Sequence, residues 1–180
     1  MTNYDDTNNA NGLPAFNTTT LGLMFVAGFF ATNAFDLFGQ VISPALGFAT
    51  LSPHGLAKSL LGSLGLPASD FAGFFVHFYL VGLIGYPVGW LFIFRPLWTR
   101  LFGDRFGGFI PSAIYGFGLW IFAIGGITVL AGLPFFLNFS GITWVALVGH
   151  VLYGIVLVAV LNGVERRPAT APRTVAPAYT

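Results

Sequence analysis

The chain has 180 residues, of which 56% are hydrophobic and only 7% are charged, and it contains 21 Phe and no Cys. Six acidic and seven basic side chains are too few to cover a water-soluble globule, since soluble domains carry about 25% charged residues. Most of the surface must therefore face lipid. The lack of cysteine excludes disulfides, iron–sulfur clusters and thiolate catalysis, and the net charge of +1 argues against a nucleic-acid partner.

Residues 1–19 are rich in Asn, Thr and Asp and contain no Lys or Arg, which predicts a polar tail rather than a span or a signal peptide. Four apolar stretches follow, each long enough to cross about 30 Å of hydrocarbon as a helix. The sequence therefore predicts an all-α, four-helix integral membrane bundle over residues 20–163, followed by a flexible tail at 164–180. The spans are expected at 20–43, 71–94, 109–136 and 143–163.

The basic residues predict the orientation of the spans, because cytoplasmic loops keep an excess of Lys and Arg near the helix ends. Lys58 alone lies in the loops on one side of the predicted membrane. Both termini are therefore expected on the cytoplasmic side of a bacterial inner membrane. The arginines that lie on the other side, between spans two and three or after span four, are Arg95, Arg100, Arg105, Arg166, Arg167 and Arg173.

Two of the predicted loops contain sequence features that indicate further structure or lipid contact. The outer loop 44–70 contains a helix start at Pro53 followed by leucines at helical spacing, which predicts a short helix along the outer interface. Asp70 is expected to cap the second span. The cytoplasmic stretch 95–108 mixes Arg with Trp, Leu and Phe, which is typical of a loop in contact with lipid headgroups.

Glycine is frequent inside the predicted spans, where it lets neighbouring helices approach closely. Five glycines are interpreted as helix-packing positions, and Pro87 is expected to kink span two near its middle. The five are Gly82, Gly85 and Gly89 on span two and Gly125 and Gly126 on span three.

Three ionisable residues lie within the spans, where they are costly unless they have partners. Asp36 is on span one, on the same helical face as Asn33, Gln40 and Ser43, and His77 and His150 are on spans two and four. At about 1.5 Å per helical residue, all three lie roughly 9–12 Å below the outer ends of their spans. The sequence therefore predicts that they meet in the interior.

Several interpretations of this cluster stay open. Asp36 and the imidazoles could form a structural hydrogen-bond network that fixes helix register. Alternatively, His77 and His150 could be the axial ligands of a haem b, and Asp36 and Tyr153 could contact and orient those ligands. A quinone or proton site, or a minor transporter, around Asp36 is a further alternative.

Three segments carry a resemblance to a known group of proteins: GFFATNAFD in span one, HFYLVGLIGYPVGW in span two and GHVLYGIVLVAV in span four. They resemble an uncharacterised bacterial family of small four-helix inner-membrane proteins that have a His near the start of helices two and four. The resemblance covers residues 20–163. It implies four helices and a role for His77 and His150, and it brings no activity with it.

No phosphate-binding loop, zinc-protease motif or serine-hydrolase motif occurs in the chain, so an enzyme is not expected. A small, aromatic-rich membrane protein with almost no hydrophilic domain is more typical of a subunit in a larger assembly. The leading hypothesis is therefore a non-catalytic accessory subunit of an energy-transducing membrane complex, surrounded by the lipid bilayer. A b-type cytochrome is the first alternative.

Overall fold

A computed structural model describes residues 13–103 and 108–165 of the chain. Most of the predicted N-terminal tail and the C-terminal tail beyond residue 165 lie outside the described residues, as does Arg105. In the described part the regular secondary structure is all-helical. Four helices are long and apolar enough to cross a membrane, so the chain is a multi-pass membrane protein. We number the helices α1 (Thr18–Ala45), α2 (Pro53–Ser63), α3 (Asp70–Phe102), α4 (Phe109–Leu130) and α5 (Gly141–Glu165).

Helix α3 is longer than the second predicted span. It continues through Pro96 to Phe102, where Gly103 adopts a positive φ of 63° and ends it. The interpretation of 95–108 as a loop was therefore wrong for its first eight residues. Helix α4 is shorter than predicted, because it ends at Leu130. Gly132 has a φ of +72°, and the Leu133 N–H donates to the Thr128 carbonyl at 2.8 Å, which closes the helix before Pro134.

The long helices contain wide π-helical turns that periodicity in the sequence did not predict. Pro44, Pro87 and Pro96 each follow one of these turns by two residues. Proline lacks an N–H and collides with the carbonyl four residues earlier, and a π turn shifts the hydrogen-bond register to five residues. The predicted irregularity at Pro87 thus takes the form of widened turns. The π segments are Phe38–Ile42, Val76–Gly85, Gly89–Phe94 and Ile121–Ile127.

The predicted helix in the loop after span one exists as α2, and it packs against the start of α3. A Cβ placed on Gly73 would lie 2.4 Å from the His54 carbonyl oxygen, so the two backbones are in close contact there. Lys58 pairs with Asp70 at 2.6 Å. The cap of α3 is Ser69, whose hydroxyl accepts from the Ala72 N–H at 3.1 Å, so the prediction of Asp70 as the cap was wrong.

The long helices share one apolar core. Helix α5 packs against both α1 and α4, and α3 packs against α1. The core is built from small, aliphatic and aromatic side chains of all four long helices. Its members include Met24, Ala27, Ala31, Trp90, Leu91, Tyr115, Leu119, Tyr153 and Leu157.

The five predicted packing glycines fall into two groups. A Cβ on Gly82 would lie 2.3 Å from Thr32 Oγ1, one on Gly89 would lie 2.6 Å from the Tyr115 hydroxyl, and one on Gly125 would lie 2.7 Å from the Phe136 ring. These three are positions of close approach. Gly85 has only an oxygen of its own helix within 4 Å of such a Cβ, and Gly126 has nothing. Those two are therefore not at helix–helix contacts.

Candidate functional site

Asp36 and His77 join α1 to α3 through a hydrogen bond inside the apolar part of the molecule. His77 Nε2 lies 3.0 Å from Asp36 Oδ1 and 3.3 Å from Oδ2, and the amide of Gln40 donates to Oδ1 at 2.9 Å. The side chains of His77 and Asp36 are 13% and 22% exposed. Because a carboxylate only accepts, Nε2 carries the hydrogen. The spacing of four residues between Asp36 and Gln40 places both on one face of α1.

The other polar residues predicted on that face have separate partners. Asn33 is exposed and its amide donates to the Phe29 carbonyl at 2.8 Å within its own helix. Ser43 is buried and donates to the Ala49 carbonyl at 2.7 Å, where the chain leaves α1. Neither contributes to the carboxylate–imidazole pair.

His150 on α5 is 4% exposed and stands apart from that pair. Its Nδ1 lies 2.7 Å from the Ala146 carbonyl, which can only accept, so Nδ1 carries the hydrogen and Nε2 carries a lone pair. Among the described residues, the ring makes no other hydrogen bond. Nε2 of His150 is therefore available to a ligand.

The ring of Phe35 contacts both imidazoles. Its ring centroid lies 4.9 Å from that of His150 and 6.0 Å from that of His77. The structure thus brings together two of the three predicted ionisable residues through a hydrogen bond. The third joins them only through the shared contact with an aromatic ring.

Two tyrosines lie beside His150, and their hydroxyl groups differ in what they contact. Tyr153, which is 2% exposed, donates its hydroxyl to the Gly82 carbonyl at 2.6 Å and so ties α5 to α3. Tyr86 has its ring 6.2 Å from that of His150, and its hydroxyl makes no hydrogen bond to the described residues. Its carbonyl accepts from the Tyr115 hydroxyl.

These groups line a cavity of about 440 Å³ that is enclosed by all five helices and the segment after α4. The volume falls in the range of about 300–1,000 Å³ that is usual for small-molecule sites. The wall is mostly apolar and includes two of the π segments, one on α3 and one on α4, and π turns are frequent at functional sites. The polar groups on the wall belong to Thr32, Ser52, Ser59, His77, Tyr86, His150 and Tyr153.

The cavity reaches the surface of the molecule, because some of its lining residues are exposed. Phe122 on α4 is 57% exposed, and Ser52 at the start of α2 is exposed as well. Helix α2 contributes Leu56, Ala57 and Leu60 to the wall, so it covers the cavity at that end.

In this arrangement Nε2 of His77 is not free to bind a haem iron together with His150. Iron ligation by an imidazole requires a ring nitrogen that points at the metal with a free lone pair. Nε2 of His77 is already bonded to the Asp36 carboxylate, and the Phe35 ring packs against both imidazoles. Within the described residues, no group of three or more His, Asp or Glu side chains could hold a metal ion.

Sequence reasoning missed several residues that build the site. Phe35 and Tyr86 lie in apolar spans and belong to no motif, so no feature of the sequence identified them as site residues. The close packing of α4 against α5 at two glycines was also not predicted. A Cβ on Gly116 would lie 2.3 Å from the His150 carbonyl oxygen, and one on Gly154 would lie 2.4 Å from that of Ser112. Their presence on facing helices is the signal that could have paired them.

No family model, no curated protein and no solved structure matches this chain.

Proposed function

We propose that the chain is a non-catalytic accessory subunit of a larger energy-transducing complex in a bacterial inner membrane. In this proposal the four long helices form a bundle, both termini are cytoplasmic, and α2 lies along the outer interface. The excess of arginine near the ends of α3 and α5 supports the orientation, since Lys58 is the one basic residue of the opposite loops.

The observation that carries the subunit role is a continuous surface of aromatic rings, which we call the aromatic face. Its rings contact one another in a chain from α3 to α1, with centroid distances such as 5.4 Å for Phe74 and Phe78 and 6.0 Å for Phe78 and Phe29. All of its members except Phe78 are between 41% and 75% exposed. The aromatic face consists of Phe29, Phe30, Phe71, Phe74, Phe75, Phe78 and Tyr79.

Aromatic side chains are enriched in protein interfaces, where rigid rings give a large contact area at low entropic cost. Lipid contact alone requires only apolar side chains of any shape. An ordered array of ring contacts on two adjacent helices is therefore better explained by a protein partner that packs against it.

The proposal is tested by purifying the tagged chain from its own membranes in mild detergent. The molecular mass and the subunit composition of the purified complex are then measured. We expect stoichiometric larger partners with the natural chain. Replacing Phe29, Phe74, Phe75 and Tyr79 together by Leu keeps the face apolar and removes the rings. We expect this variant to insert into the membrane and to elute without partners.

A matched control uses the exposed aromatic residues of α4. Phe109 and Phe117 are 67% and 45% exposed, and their replacement by Leu should leave the complex intact. Recovery of the natural chain only as a free monomer would contradict the proposal. So would a complex that survives the loss of the aromatic face.

The orientation has its own test, because the absence of cysteine allows single-cysteine variants. Ser140→Cys, in the connection between α4 and α5, should react with a membrane-impermeant maleimide in cells whose outer membrane is permeable. Ala178→Cys, near the C-terminus, should react only after the inner membrane is opened. The reverse pattern would overturn the orientation and leave the subunit role to the first test.

A further inference from the structure

We infer that the cavity between α2 and the four long helices is a binding site for a hydroquinone, the reduced form of a quinone. This inference does not depend on the subunit role. It starts from two polar atoms on the cavity wall that make no hydrogen bond to the described residues, Nε2 of His150 and the hydroxyl of Tyr86.

The state of His150 determines what the site accepts. Nδ1–H is committed to the Ala146 carbonyl at 2.7 Å, so Nε2 presents a lone pair and needs a donor. The residue is 4% exposed, and an unpaired polar group that deep costs free energy unless a ligand or water satisfies it. A ligand hydroxyl is the complementary group.

Tyr86 supplies the second polar contact close to the first. Its ring lies 6.2 Å from that of His150, and its hydroxyl can both donate and accept. His77 contacts the same Phe35 ring, and while its Nε2 is bonded to the Asp36 carboxylate, its Nδ1 makes no hydrogen bond to the described residues. The cavity wall therefore includes two imidazoles that each have a ring nitrogen without a hydrogen bond to the described residues.

The other residues that line the cavity favour a flat, apolar ligand. Phe35, Phe122, Tyr86 and Tyr153 contribute rings to it, and most of the other lining residues are aliphatic. A hydroquinone combines an apolar aromatic ring with two hydroxyl groups on opposite edges. The oxidised quinone has only acceptor oxygens, so it can accept from Tyr86 but cannot satisfy Nε2 of His150. The site should therefore prefer the reduced form.

The test measures binding of three small probes to the full-length protein in detergent by equilibrium dialysis. The probes are tetramethylhydroquinone, its dimethyl ether and tetramethylbenzoquinone. A hydrogen bond is worth about 1 kcal/mol, or about fivefold in Kd. We expect the hydroquinone to bind at least about fivefold more tightly than the quinone or the ether, which lack the hydroxyl donors.

Two tyrosines of the same cavity give a matched pair of variants. Tyr86→Phe removes the unpaired hydroxyl, and we expect it to weaken hydroquinone binding by about fivefold while binding of the ether changes little. Tyr153→Phe removes a hydroxyl that already donates to the Gly82 carbonyl, so the preference for hydroquinone over ether should persist. His150→Leu should reduce that preference by about fivefold, and elution at the natural position verifies its fold.

Equal Kd values for the three probes would overturn the inference, since they would mean that the cavity takes up any apolar molecule or an acyl chain. Equal effects of Tyr86→Phe and Tyr153→Phe would overturn it as well. Neither result bears on partner recovery, so failure here is distinguishable from failure of the subunit proposal.

Discussion

Helix α5 is closely packed at some positions and borders a cavity at others. On the side of α4, the backbones touch at Gly116 and Gly154, where a single added methyl group would meet backbone atoms at 2.3 and 2.4 Å. At other positions the same helix borders a cavity of about 440 Å³ that residues of all five helices line. His150 belongs to both regions, since its carbonyl contacts Gly116 and its ring lines the cavity.

The difference indicates how a small membrane protein can hold a polar group precisely. The tight contact between α4 and α5 leaves the backbone at His150 no freedom to shift, because both contacting surfaces are main chain. The spare volume and the unpaired polar atoms are on the cavity side. Substitutions at the backbone contacts of α5 and on the cavity wall should therefore have different consequences.

The largest effect is expected at the contact between α4 and α5. Gly116→Ala places a methyl group against the His150 carbonyl and the Val151 Cα, neither of which can rotate away. We expect it to lower the free energy of unfolding in detergent by about 3 kcal/mol. Gly118, on the same helix, has nothing within 4 Å of such a methyl group, so Gly118→Ala is the control and should cost nothing. Equal stabilities of the two variants would mean that Gly116 is not at a close backbone contact in the folded protein.

The next effect concerns the pair that ties α1 to α3 beside the cavity. Asp36→Leu leaves the N–H groups of His77 and Gln40 without their acceptor. We expect a loss of about 2 kcal/mol, measured by the same unfolding experiment. Asn33→Ala, an exposed polar position on α1, should change stability by less than about 0.5 kcal/mol. A neutral Asp36→Leu would mean that the pair does not support the cavity wall.

A smaller effect is expected where backbone strain closes the cavity. Residues 136–139 all have positive φ between 45° and 56°, and Leu137 lines the cavity. A β-branched residue tolerates this conformation poorly, so Asn138→Val should destabilise the protein by about 1 kcal/mol. Asn138→Gly removes the steric conflict and should be tolerated. If thermal unfolding ranks these two variants the other way, the strained turn is not part of the folded state in detergent.

The smallest effect on stability is expected from filling the cavity. Val81 lines it, and Val81→Phe adds volume where space exists. We expect the free energy of unfolding to change by less than about 1 kcal/mol, because burial of the ring offsets any local shift. Binding of tetramethylhydroquinone should be lost in the same variant. Severe destabilisation would indicate that the cavity side is as closely packed as the contact between α4 and α5.

Much of the fold follows from composition and hydropathy. Length and apolar content predicted four spans, and the ends of α1 and α5 differ from the predicted ends by two residues. The errors have local physical causes. The arginines at 95 and 100 led to the prediction of a loop. Helix α3 nevertheless continues past Arg95 and Arg100, because a π turn accommodates Pro96. Helix α4 stops early at a glycine with positive φ, a property that hydropathy does not register.

The site was predictable only in part. The helical spacing of Asp36 and the depth of His77 pointed to their contact, because rare polar groups in an apolar span need partners. The contact of Phe35 with both imidazoles and the unpaired hydroxyl of Tyr86 depend on side-chain packing between three helices. An aromatic residue in a phenylalanine-rich span has no local signal that separates a cavity wall from a lipid-facing surface.

The most direct test of this account compares thiol reactivity on the cavity wall and in the closed core. Ala123 and Ala27 are 7% and 0% exposed, and only Ala123 lines the cavity. Ala123→Cys and Ala27→Cys, in a chain with no other cysteine, are treated with a small membrane-permeant methanethiosulfonate, and labelling is followed by mass spectrometry. The account predicts rapid labelling at position 123 that tetramethylhydroquinone slows, and no labelling at position 27. Equal rates at the two positions, unaffected by the probe, would contradict it.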